Sequence, residues 1–199
     1  MSPWFSDRLR VWGRWGTIPP CLVLAPAMAC LAACSTNTQW GPQPVEASES
    51  AIHFDHPDFD PELAEYASGG DPMTGGELHA AQFFGADAFA RVIVFRAGPN
   101  YVVPDRPLEA DIGRLMDGTD LTWGESGQVP SRIGYVPYRM FRLADQPFRC
   151  VGFSQRYGES GDDMRRKRNL VFGWFCYDKS RPVSAADAAD LIAKVSVGR

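Results

Sequence analysis

The clearest alternation of hydrophobic and polar positions lies in the last third of the chain. Residues 147–158 and 169–178 are rich in aromatic and β-branched side chains, which predicts two strands separated by the polar run 159–168. Residues 88–98 form a β-branched and aromatic run typical of a buried strand. Residues 132–144 also alternate, but they contain a proline, which indicates an edge strand or a bulge.

The two C-terminal strands carry one cysteine each, and these cysteines predict their register. If Cys150 faces Cys176 in an antiparallel pair, the turn is centred at Asp163, inside the polar run. The same register sets large rings against residues without side chains, namely Gly152 opposite Trp174 and Phe153 opposite Gly173. We therefore predict a β-hairpin closed by a disulfide between Cys150 and Cys176, with two buried free thiols as the alternative.

Three segments have apolar residues at helical spacing. Residues 77–84 contain helix formers before a glycine, and residues 107–116 begin at a proline and precede Gly118. Ser184 and Asp187 have the spacing of a capping box at the start of a third helix. The predicted fold class is α+β, with an antiparallel sheet of four or five strands, two or three helices, and a C-terminal hairpin followed by a C-terminal helix.

The first 33 residues have the pattern of a secretory signal peptide. Arginines precede an apolar run over residues 18–33, which is interrupted by prolines and is shorter than the ~20 residues of a membrane-spanning helix. A permanent transmembrane anchor is the alternative. The run ends in the sequence Leu31-Ala32-Ala33-Cys34.

These four residues resemble the lipobox of bacterial lipoproteins, which has an aliphatic residue, two small residues and a cysteine. The resemblance implies that the leader is removed before Cys34 and that this cysteine carries the lipid anchor, which holds best with several acyl chains. Ser35 follows in place of the aspartate that resembles an inner-membrane retention signal. The resemblance then implies a periplasm-facing location on the outer membrane.

Charge is distributed unevenly behind the leader. Between Cys34 and Ala90 there are ten acidic residues and no lysine or arginine, whereas the remainder of the chain is mildly basic. Residues 34–76 are rich in proline, glycine, serine and acids, which predicts a flexible tether before a globular domain at 77–199. Within that tether, residues 61–67 could form transient helical turns. The overall charge balance does not favour nucleic-acid binding.

Several segments invite a chemical interpretation. The tether contains a cluster of histidine and aspartate residues: His53, Asp55, His56, Asp58 and Asp60. This cluster is either a solvated acidic linker or a weak divalent-cation site, and we predict that it binds no metal. Trp123 and Tyr157 each begin an aromatic-Gly-Glu-Ser-Gly piece, which lacks the nucleophile-elbow pattern and predicts turns. His79, the last histidine, is interpreted as a helix-surface residue.

A basic run in the predicted turn is the remaining candidate: Arg165, Arg166, Lys167 and Arg168. It is either a solvated loop or an anion- or partner-binding site. No cofactor motif or paired-carboxylate motif is present in the sequence. The sequence therefore favours a non-catalytic envelope lipoprotein that binds a protein or cell-wall partner, with a small hydrolase of unrecognised active site as the alternative.

Overall fold

The computed structural model describes residues 42–71, 74–116, 119–132, 134–144, 146–160 and 163–198, and for residues 159–160 and 163–166 it describes the backbone alone. In these residues the strands are β1 (Gln43–Val45), β2 (Ile52–Phe54), β3 (Asp60–Asp71), β4 (Gly76–Phe84), β5 (Ala88–Arg96), β6 (Leu121–Ser131), β7 (Gly134–Leu143), β8 (Phe148–Ser160), β9 (Asp163–Asp178) and β10 (Val195–Val197). The helices are α1 (Leu108–Leu115) and α2 (Ala185–Lys194), and a 3₁₀ turn spans Ala47–Glu49.

Eight of these strands form one antiparallel sheet in the order β1-β3-β4-β5-β9-β8-β7-β6. β2 and β10 form a separate two-stranded ribbon. The prediction of an α+β fold with four or five strands is therefore wrong, because the described residues are mostly β with two helices. The predicted C-terminal helix corresponds to α2, but β10 follows it, so the helix is not the last described element.

Both faces of the sheet are covered, and each face has its own core. On the face that we call the α2 face, Leu191 and Ile192 of α2 pack with Val151 and Phe175 of the central strands. The β2–β10 ribbon covers the same face. On the opposite face, the α1 face, Ile112 of α1 packs over the disulfide. Burial of both faces explains why residues 170–177 of β9 are apolar at every position.

The disulfide hairpin is confirmed in its register. Cys150 and Cys176 are bonded, and the strand pairs Gly152–Trp174 and Phe153–Gly173 are both present. The ring of Phe153 lies over Gly173, where an added Cβ would also meet the Arg91 carbonyl oxygen at 2.2 Å. Over Gly152, however, the nearest groups are Ile112 and Phe141, at 3.2 Å from an added Cβ.

The turn of this hairpin is shorter than predicted. Regular pairing continues to Glu159 and Lys167, and a register shift then brings Ser160 opposite Asp163. Asp163 therefore lies at the start of β9 rather than at the centre of a turn. The polar run 159–168 is mostly strand, because backbone pairing does not require apolar side chains on both faces.

The predicted tether over residues 34–76 is wrong for the part that the structure describes. β1, β2 and β3 occupy much of residues 43–71, and Pro61–Ala67 lies in β3 rather than in helical turns. Glu62 and its neighbours are exposed, and the acidic composition reflects the solvated side of an edge region. Order begins well before residue 77, which was the predicted domain boundary.

Residues 77–84, predicted as a helix, form most of β4 between β3 and β5. His79 is consequently not on a helix surface: it lies in β4, largely buried, with Nε2 3.6 Å from the Glu77 carboxylate. Burial is the first cause that lowers the His79 pKa, and nearby Arg96 lowers it further. By contrast, the predicted helix after Pro107 and the capping box of Ser184 and Asp187 are both confirmed.

Candidate functional site

An open groove lies on the α1 face, between the N-terminal end of α1 and strands β6, β7 and β8. Its volume is about 610 Å³, within the ~300–1,000 Å³ typical of small-molecule sites. Polar and apolar surface contribute about equally to its lining, and its hydrogen-bonding side chains include Glu109, Ser126, Gln128, Arg139, Ser154 and Arg156. This groove is the candidate functional site.

The floor of the groove is a buried ion pair. Arg156 Nη2 donates to both carboxylate oxygens of Asp111, at 3.2 and 2.9 Å, and the Ser154 hydroxyl donates to Asp111 Oδ2 at 2.8 Å. Arg156 Nε donates to the Pro104 carbonyl oxygen at 2.8 Å. Asp111 is only 7% exposed, so these bonds replace the water that its charge would otherwise require. The pair fixes both α1 and the loop before it to β8.

The side-chain periodicity of α1 and β8 explains why Asp111 and Arg156 meet. Asp111 lies three residues after Leu108 and one before Ile112, on the side of α1 that faces the sheet. Ser154 and Arg156 follow Cys150 at even spacing along β8, so they lie on the α1 face as well. The Asp111 carboxylate on the buried side of α1 thus meets the Arg156 guanidinium on the α1 face of β8.

Arg139 of β7 lies at the rim of the groove and is held from three sides. Its Nη1 forms an ion pair with Glu109, and its Nε donates to the Gly124 carbonyl oxygen at 3.2 Å. Its guanidinium carbon lies 5.8 Å from the ring centroid of Trp123. The hydrogen bond from Arg139 is the main reason that the Glu109 pKa is lowered, so Glu109 is a carboxylate at neutral pH. Three contacts therefore set the direction of this guanidinium.

The first aromatic-Gly-Glu-Ser-Gly piece forms a wall of the groove rather than the predicted turn. It lies within β6, where the register with β7 shifts between Trp123 and Ser126. This bulge places the Gly124 carbonyl at Arg139 and Ser126 in the groove lining. The second piece, from Tyr157, lies in β8, where Gly158 has a φ of +72° and the register shifts after Glu159. Both copies are strand irregularities.

A second polar cluster lies on the α2 face. Buried His56 has Nε2 3.1 Å from Asp190 of α2, and its Nδ1 accepts the backbone N–H of Asp58 at 3.2 Å. The Tyr177 hydroxyl donates to Asp58, and burial followed by this hydrogen bond raises the Tyr177 pKa. Arg181 also pairs with Asp58, at 2.6 Å. These contacts fasten the β2–β3 connection to α2 and β9.

The acidic and histidine residues considered as a cation site do not converge on one point. His56 and Asp58 belong to the cluster just described, whereas His53 lies exposed in β2 opposite Ser196. In the described ranges, no group of three or more His, Cys, Asp or Glu side chains is arranged to hold a metal ion.

The other predicted site residues have different outcomes. Cys150 and Cys176 form the predicted disulfide beneath α1. Lys167 and Arg168 lie in β9, and Arg168 Nη2 donates to the Ala97 carbonyl oxygen at 3.2 Å, so it also holds the loop after β5. The side chains of Arg165 and Arg166 lie outside the described residues, and an anion site there stays a prediction. Cys34 and the lipobox also lie outside the described residues.

Neither helix in the described part of the chain is long and apolar enough to cross a membrane. No protein-family profile matches the chain, and no curated protein shows significant similarity to it.

Proposed function

We propose that this protein is a cell-envelope lipoprotein, anchored by a lipid on Cys34, whose β-domain binds a small polar ligand in the α1-face groove without transforming it. The observation that carries the binding role is the groove itself. It combines a volume suited to a small molecule with hydroxyl, amide and guanidinium groups that are fixed by the sheet. The lipobox sequence at residues 31–34 supports the anchor.

The ionisation of the groove favours binding over hydrolysis. A general acid requires a carboxyl group with a raised pKa, whereas the pKa of Glu109 is lowered by its hydrogen bond from Arg139. Asp111 is occupied by two donors, Ser154 and Arg156. Both carboxylates act here as partners that position arginines, which is the arrangement of a recognition surface.

Replacing Cys34 with Ser is expected to move the protein from the membrane fraction to the soluble fraction, because the hydroxyl cannot receive the thioether-linked lipid. The measurement is cell fractionation with immunodetection, combined with mass analysis of the N-terminal peptide. Cys30→Ser is the matched control, since this cysteine lies in the same apolar run, and it should leave the protein in the membrane. Equal membrane retention of both variants would contradict the anchor.

Replacing Ser126 with Trp is expected to reduce ligand occupancy at least about tenfold, because the indole fills a groove that an exposed serine leaves open. The full chain is purified in mild detergent from envelopes, and native mass spectrometry measures the mass of any bound small molecule. Thr122→Trp, on the same strand and also exposed but outside the groove, is the control. The binding role fails if wild type and Ser126→Trp carry the same molecules.

A further inference from the structure

The charges of the groove balance one another. The lining contains Arg106, Arg139 and Arg156 but only two carboxylates, Asp105 and Glu109; the third carboxylate, Asp111, lies behind Arg156 and completes the local charge balance. A site for a phosphate or carboxylate ligand usually presents guanidinium groups whose charge is not already neutralised. Here Arg139 and Arg156, two of the three arginines of the lining, are each paired with a carboxylate. A simple anion would have to compete with Glu109 or Asp111.

The two paired arginines differ in their exposure and in the hydrogen-bond donors that they can present to a ligand. Arg156 is 14% exposed and uses its nitrogens on Asp111, Ser154 and the Pro104 carbonyl. Arg139 is 35% exposed, and within the described part of the chain its second terminal nitrogen makes no hydrogen bond. Arg139 can therefore donate to a ligand without leaving Glu109. The Arg139–Glu109 pair presents donors and acceptors side by side.

The neighbouring groups have the same mixed character. Ser126 and Gln128 are exposed on β6 and line the groove. A hydroxyl group or an amide can each donate and accept hydrogen bonds. Adjacent donors and acceptors of this kind match the hydroxyl groups of a sugar ring, each of which also donates and accepts. Pro137 and Leu108 add small apolar surfaces beside them.

We propose that the groove recognises an uncharged saccharide, with the Arg139–Glu109 pair and Ser126 as its main hydrogen-bonding groups. This inference rests on the proposed binding role of the groove and specifies the ligand class. The β6 bulge serves this recognition because it directs Ser126 into the groove and fixes Arg139 through the Gly124 carbonyl. The ligand then gains its hydrogen bonds with little loss of side-chain freedom.

The test is isothermal titration of the detergent-solubilised full chain with maltotriose and di-N-acetylchitobiose, and with inorganic phosphate and citrate as the anionic arm. We expect at least one saccharide to bind, with an affinity that changes little with salt because the ligand carries no charge. Glu109→Gln should weaken saccharide binding about tenfold by removing a charged acceptor, and should strengthen phosphate binding by freeing Arg139. Glu62→Gln, an exposed acid on distant β3, should change neither.

The outcomes separate this inference from the proposed function. Tight, salt-sensitive binding of phosphate or citrate to wild type, with no saccharide binding, overturns the saccharide assignment and leaves a binding groove. The same conclusion follows if no probe binds but Ser126→Trp still displaces a co-purifying molecule. If no probe binds and Ser126→Trp changes nothing, the inference and the proposed function both fail. If Glu109→Gln leaves saccharide binding unchanged, the Arg139–Glu109 pair is not part of the binding site.

Discussion

Replacing Asp111 with Ala is expected to lower the free energy of unfolding by about 3 kcal/mol, the lower end of the range for a buried pair, because it leaves the largely buried guanidinium of Arg156 without its counter-charge. The Ser154 hydroxyl loses its acceptor at the same time. The measurement is urea unfolding of the full chain followed by tryptophan fluorescence. Asp105→Ala is the matched control, since this acid is fully exposed near the same arginine and should change the stability very little.

A double variant distinguishes a charge effect from a simple packing defect. Removing both charges, with Asp111→Leu and Arg156→Met, is expected to cost less than Asp111→Ala alone, because no unpaired charge remains buried. If the double variant is the less stable of the two, the ion pair is not what fastens α1 to β8. The groove floor would then depend on packing of Ile112 and its neighbours instead.

Removing the disulfide is expected to lower the free energy of unfolding by about 3 kcal/mol, because the bond closes a loop between residues 26 positions apart. Cys150→Ala with Cys176→Ala is the variant, and chemical denaturation is the measurement. Wild type treated with dithiothreitol should unfold at nearly the same midpoint as this variant. The variant itself should not respond to the reductant, and a wild type that is equally insensitive would contradict a stabilising role.

The hairpin could be predicted because two independent signals coincide in its sequence. Alternation fixes which residues share a face, and the cysteine pair selects one register among those that alternation allows. The prediction failed at the turn because the residues after Tyr157 are polar, and polarity was interpreted as a loop. Strands at the end of a hairpin can remain paired with both faces solvated, so composition alone does not locate their end.

The failures at β3 and β4 have a common cause. Leu78, Ala80 and Ala81 are compatible with a helix, but β4 lies between two other strands, and the consecutive residues Ala80 and Ala81 are both buried. β3 was interpreted as part of a tether because the segment is rich in proline, glycine, serine and acidic residues and has no sustained apolar period. Its order comes from backbone pairing with β4, which side-chain composition does not reveal. Pairing with neighbouring strands, rather than local composition, determined the secondary structure of both segments.

Part of the groove was detectable in the sequence. Asp111 occupies a position of α1 that the apolar pattern assigns to the buried side, and a carboxylate there requires a buried partner. Arg156, two residues beyond Ser154 on the same face of β8, is a suitable partner. The contact between Arg139 and Glu109 was not detectable, because it depends on how α1 crosses β7. The bulge in β6 was missed because that strand was not predicted.

The two borders of the large sheet have a consequence for behaviour at high concentration. One border is β1, which is three residues long, and the other is β6, which is interrupted by the bulge and carries Pro130. Short, irregular and proline-containing borders are poor templates for the addition of a strand from another molecule. In the described part of the sheet, both borders therefore have little tendency towards intermolecular β-pairing.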